Sequence, residues 1–145
     1  MRLMVCAVTA VLLTSPAKAE TGYLCKSDKS VGFAYDASRK TWLPSQFTKT
    51  SEYVVRPSSA EANETISPWI VMSMNPRGAF AYCDHVPNEY KFLICQSGIT
   101  TFKINLNSLR FMTSVSDGYW NFGRNGYPDT ESTTPYLEIG TCTQL

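Results

Sequence analysis

The sequence predicts an all-β chain, a small antiparallel β-barrel or sandwich of about eight to ten short strands, with one short helix possible and two disulfides as staples. Three observations carry this expectation. Period-two alternation of apolar and polar residues recurs along the chain, whereas helical periodicity is scarce. Turn signals recur about every eight to twelve residues. Four cysteines fall in the part of the chain that reads as exported.

The chain opens on a secretory leader over residues 1–19. Arg2 is its positive start, Leu3 to Leu13 its apolar run, and Ala17-Lys18-Ala19 its small-x-small cleavage site. The run is about half the ~20 residues needed to cross the hydrocarbon of a bilayer. Leu3-Met4-Val5-Cys6 resembles a lipobox only loosely and does not follow the apolar run. Cleavage after Ala19 removes Arg2 and Lys18 from the 13 basic residues, leaving 11 against 12 acidic ones and a net charge of −1. Residues 20–145 are expected to form a single domain. A near-neutral surface lacks the field that draws phosphate backbones, which argues against a nucleic-acid partner. No second long apolar run is present, so no transmembrane segment is expected after cleavage.

The strands are read in chain order. Tyr23-Leu24-Cys25 opens one after Gly22, and Val31, Phe33 and Tyr35 share a face of the next. Asp36 to Lys40 is a polar turn, and Thr41-Trp42-Leu43 returns from it. Tyr53-Val54-Val55 is aromatic and β-branched, and Pro57 ends it. Ser58 followed by Glu61 fits a capping box, so residues 59–66 read as a short helix or a solvated loop. Asn63-Glu64-Thr65 is a glycosylation sequon of consequence only in a eukaryotic host. Trp69 to Met74 and Ala79 to Cys83 flank Asn75-Pro76-Arg77-Gly78, a type I turn signal. Tyr90 to Cys95 is almost wholly apolar, as a strand buried on both faces would be. Gln96-Ser97-Gly98 turns the chain. Phe102, Ile104 and Leu106 alternate on even positions, Leu109 and Phe111 on odd ones, so a turn or bulge is required at Asn107-Ser108. Asp117-Gly118 is a further turn, residues 123–134 a polar loop, and Tyr136 to Cys142 the last strand.

Export and an even count make Cys25, Cys83, Cys95 and Cys142 two disulfides rather than a zinc site, whose cysteines come in close pairs. Three connectivities exist. Cys83 and Cys95 are symmetric about Glu89 in a turn, which favours Cys83–Cys95 and hence Cys25–Cys142. The second bond would lay the first strand beside the last. With mostly local connections, that favours the barrel.

No constellation in the sequence carries catalysis. His85 is the one histidine, and Asp84, its neighbour on a strand, points to the opposite face. No nucleophile elbow, phosphate-cradling loop, metal motif or cofactor motif is present. Asp28, Asp36, Asp84, Glu89, Asp117, Asp129 and Glu138 are spread singly and read as exposed solubilising charge. The segment Gly118 to Tyr127 interleaves aromatics with Gly, Asn and Arg, a composition suited to contact. Tyr119, Trp120, Arg124 and Tyr127 are its candidate binding residues. The competing reading has Trp120 and Phe122 plug the barrel while Tyr119 and Tyr127 cover its rim.

Cys25, Gly32-Phe33-x-Tyr35-Asp36 and Trp42, with Leu109-Arg110-Phe111 and Pro135-Tyr136-Leu137-Glu138-Ile139-Gly140-x-Cys142, resemble small exported proteins of proteobacteria that have no assigned activity. That resemblance implies a periplasmic or secreted location and supplies no catalytic residue. At the level of fold alone the chain is also similar to the periplasmic lysozyme inhibitors, though their inhibitory loop is not found. The expected function is a non-enzymatic binding or interaction module whose partner is a protein or a cell-envelope component. The alternatives are a small secreted hydrolase using carboxylates and a lipocalin-like carrier of a small ligand. The carrier needs a hollow barrel, and 18 aromatic residues argue for a filled one.

Overall fold

The computed structural model describes residues 22–48, 50–58, 67–75, 77–85, 87, 89–117, 119 and 134–145. The leader expected over residues 1–19, the helix or loop expected at 59–66 with its sequon, and Trp120, Arg124 and Tyr127 lie outside these residues. Among the described residues nine strands are formed: β1 Tyr23–Asp36, β2 Thr41–Phe47, β3 Glu52–Pro57, β4 Trp69–Met74, β5 Arg77–Cys83, β6 Phe92–Ser97, β7 Thr100–Asn105, β8 Arg110–Val115 and β9 Tyr136–Gln144. Every pairing is antiparallel. From β3 to β9 each strand pairs with the next in sequence, and β1 pairs with both β3 and β9, closing an eight-stranded barrel. The ninth strand, β2, is an addition outside it.

β1 explains how one strand serves both roles. Its first residues, Tyr23–Lys26, pair with β3, and Ser30–Asp36 pair with β2. Its other edge pairs with β9 across a bulge between Ser27 and Lys29. The two short strands read from the sequence are thus one strand of 14 residues, bent rather than broken at Asp28. Val31 and Phe33 share a face as expected, but that face points outward, and both are about half exposed. The β1–β2 turn is held by Asp36, whose Oδ1 accepts from the Ser38 hydroxyl at 2.6 Å, the Ser38 amide at 2.9 Å and the Arg39 amide at 3.1 Å. These bonds, the Ser38 hydroxyl first, hold its carboxyl below the usual range. Pro44 sits midway along β2, opposite Phe33.

The other turns follow their chemistry. Met74 pairs with Arg77, so the β4–β5 connection is the two residues 75–76, one residue earlier than the type I reading placed it. Ser97 pairs with Thr100 around Gly98, whose φ of 52° is open to glycine without steric cost. Asn105 pairs with Arg110 across the turn that the change of phase required, and Asn105 Oδ1 accepts the amides of Asn107 and Ser108.

Both disulfides join residues directly opposite each other. Cys25 pairs with Cys142 across β1–β9 and Cys83 with Cys95 across β5–β6. All four point into the barrel, which is filled there by Val55, Trp69, Val71, Leu93, Ile104 and the stacked rings of Phe102 and Phe111. Fully burying a side chain of this size contributes about 1.5–3 kcal/mol. The expectation that Tyr90 to Cys95 is buried on both faces is corrected. Leu93 and Cys95 are inside, while Phe92 and Ile94 are 44% and 54% exposed, because nothing among the described residues forms a second layer outside β6.

Candidate functional site

Period-two alternation fixes what enters the barrel. On β9, Cys142 is inside, and counting back by two places Gly140, Glu138 and Tyr136 on the same face. Leu137 and Ile139 take the outer face and are 37% and 47% exposed. The reading of Glu138 as exposed charge is therefore corrected: it is 4% exposed, turned inward by the phase that the disulfide sets. Gly140 lets the β1 backbone and the Phe111 ring approach β9 closely. A Cβ there would collide with the Lys26 carbonyl and lie 2.6 Å from the Phe111 ring.

Both carboxylate oxygens of Glu138 are engaged. Ser51 Oγ donates to Oε1 at 2.8 Å, and the Tyr53 hydroxyl donates to Oε2 at 2.7 Å. Ser51 is itself fixed by Ser27. The Ser51 amide donates to Ser27 Oγ at 2.7 Å, and the Ser27 amide donates to the Ser51 carbonyl at 2.9 Å. Tyr53 is anchored by its ring, which packs against Phe80, Phe102 and Phe111 at centroid distances of 4.8, 5.4 and 5.7 Å. Phe80 reaches it from the irregularity in β4–β5 pairing, where Val71 faces Ala81 and Met72 faces Ala79. Burial above all, then the Glu138 charge, pushes the phenol of Tyr136 up; burial likewise pushes up Tyr53, which donates to that charge. Both phenols remain protonated through the neutral range.

Above this floor lies a cavity of about 560 Å³ at the end of the barrel where β3, β5 and β9 begin and β4 ends. Phe47, Phe80 and Tyr136 form its apolar walls, and Ser30, Ser51, Ser73, Asn75, Thr134 and Glu138 its polar ones, with exposed Arg77 also lining it. Of the seven carboxylates singled out from the sequence, only Glu138 is among its described lining residues. Asp129 is outside the described residues.

A second cavity of about 610 Å³ lies against the outer face of the β1–β2 hairpin, lined by Phe33, Thr41, Trp42, Ser116, Tyr119 and Pro135. Trp42 is flanked there by two rings, Tyr35 at 5.5 Å and Tyr119 at 6.0 Å, the latter edge-on. Tyr119, a residue expected to make contacts, is 68% exposed. Its placement with Phe33, Tyr35 and Trp42 is long-range and carries no local signature. His85 is exposed past the end of β5 and lines neither cavity. Among the described residues no cluster of His, Cys, Asp and Glu is arranged to hold a metal ion. No helix among them is long and apolar enough to cross a membrane.

Compared with protein-family models, curated proteins and solved structures, the chain matches no family model, and no curated protein or solved structure gives a significant match.

Proposed function

We propose that this protein is an exported, non-enzymatic binding module that works by contact, using the aromatic shelf of Phe33, Tyr35, Trp42 and Tyr119 to hold a protein of the periplasm or secreted fraction. The observation that carries the reading is the position of Trp42. Its ring lies between Tyr35 and Tyr119 on a hairpin outside the barrel, so this aromatic area serves no part of the barrel core. Tyr and Trp supply rigid, amphipathic contact area and dominate the energetics of protein interfaces. The adjoining cavity has no charged residue in its described lining, which favours an apolar side chain of the partner over a charged group. Trp120, Arg124 and Tyr127, the other contact residues expected from the sequence, lie outside the described residues.

Export is supported by the leader pattern over residues 1–19 and by two buried cystines, which persist in oxidising compartments. The non-enzymatic reading is supported by the position of His85, exposed and outside both cavities, and by the single carboxylate in the described lining of the barrel cavity, since carboxylate-based glycoside hydrolysis takes two. The test is capture from an envelope extract by the immobilised full protein, run beside its Trp42→Ala/Tyr119→Ala variant. A protein retained by the wild type and lost by the variant is the expected result. Equal retention by both, or no retention by the wild type, ends the proposal.

A further inference from the structure

We propose that the barrel-end cavity is a binding site for a small organic cation, a primary ammonium or guanidinium group on an apolar body, seated on the carboxylate of Glu138. This site is separate from the aromatic shelf and does not depend on it.

A carboxylate offers about four acceptor positions. Ser51 and Tyr53 occupy one on each oxygen, and Glu138 lines the cavity, where the remaining acceptor positions would meet a ligand. Both donors are neutral hydroxyls. Among the described residues no lysine, arginine or histidine lies within ion-pair distance of Glu138, whose side chain is nonetheless almost fully withdrawn from water. A withdrawn carboxylate without a counter-charge is costly, and a cation brought in by a ligand relieves that cost. The surroundings suit such a cation. An ammonium carries three donors, and the hydroxyls of Ser30 and Ser73 line the same cavity as further acceptors. Phe47, Phe80 and Tyr136 present aromatic surface for an apolar body and for cation–π attraction. Arg77 is exposed and beyond ion-pair distance of Glu138. The volume falls within the range of about 300–1,000 Å³ usual for small-molecule pockets.

The test is calorimetric titration of the full protein with phenethylamine and cadaverine, each beside its fully N-acetylated counterpart, and with agmatine and arginine methyl ester, each beside an N-acetylated analogue that carries a neutral urea in place of the guanidinium. At least one amine or guanidine is expected to bind, and loss of its charge to weaken binding by about thirtyfold or more, as loss of one member of a buried charge pair does. Glu138→Gln is expected to weaken binding by a similar factor. Because that variant also disturbs the bonds from Ser51 and Tyr53, Ser73→Leu is the second probe. It adds bulk to the cavity from β4 and removes neither of the groups that bond Glu138, and is expected to abolish binding. Trp42→Ala is expected to leave the affinity unchanged. Absence of binding by all four compounds, equal affinity for the uncharged counterparts, unchanged affinity in Ser73→Leu, or loss of binding in Trp42→Ala would each overturn the proposal.

Discussion

Along β9 the inward residues run from Tyr136 and Glu138 through Gly140 to Cys142, and along β3 from Tyr53 to Val55, which follow Ser51. At one end of the barrel these positions meet Trp69, Leu93, Ile104 and two cystines. At the other they meet Ser27, Ser30, Ser73 and a cavity. The alternation is the same at both ends, so facing inward does not by itself mean facing an apolar core. The stapled end gathers covalent and apolar stabilisation. The open end places a carboxylate and several hydroxyls on a frame held rigid from below. Preorganised polar groups on a stiff scaffold are what a recognition site requires.

The sharpest way to break this comparison is to remove the staples. In the chain-entropy picture the Cys25–Cys142 bond, with a sequence separation of 117, contributes about 5 kcal/mol, and Cys83–Cys95, with a separation of 12, about 3 kcal/mol. Urea unfolding of the two double-alanine variants should show losses in that order. Equal losses would mean that the terminal strands are held by something other than their cystine.

The open end should give a smaller and pH-marked effect. Tyr53→Phe leaves one oxygen of Glu138 without its donor and should cost about 1.5–3 kcal/mol. The phenols of Tyr53 and Tyr136 are raised above their ordinary value of 10.0, so the unfolded chain gives up those protons first. Their contribution is complete below pH 10 and declines as pH rises further. Chemical denaturation at rising alkaline pH should show this decline in the wild type and a shallower one in Tyr53→Phe. Parallel declines would remove Tyr53 from the account. The smallest effect is expected on the outside of the barrel, where Ile94→Ser should change stability by no more than about 0.5 kcal/mol in the same assay.

Much of the barrel was legible in the chain because its signals are local. Cys83 and Cys95 are equidistant from a turn and face each other in the structure. The change of phase between Ile104 and Phe111 demanded a turn, and Leu106 to Leu109 supply it. What misled was residue type taken without phase. Phe92 and Ile94 read as doubly buried because they are apolar, and Glu138 read as exposed because it is charged. The position of Cys142 already held the correction, since residues at even distance from a buried cystine share its face. The pairing of Tyr119 with Trp42 was not legible at all, because β1, β2 and the segment after β8 meet only when the barrel has closed.

Closing a sheet upon itself leaves no strand free to recruit another molecule, and appending β2 gives that protection up. Among the described residues β2 bonds to β1 alone, so its far side is a potential template for aggregation. Pro44 stands at the middle of that side with no amide hydrogen to offer, which interrupts the ladder an invading strand would need. The hairpin can therefore extend an aromatic surface into solvent without inviting end-to-end polymerisation.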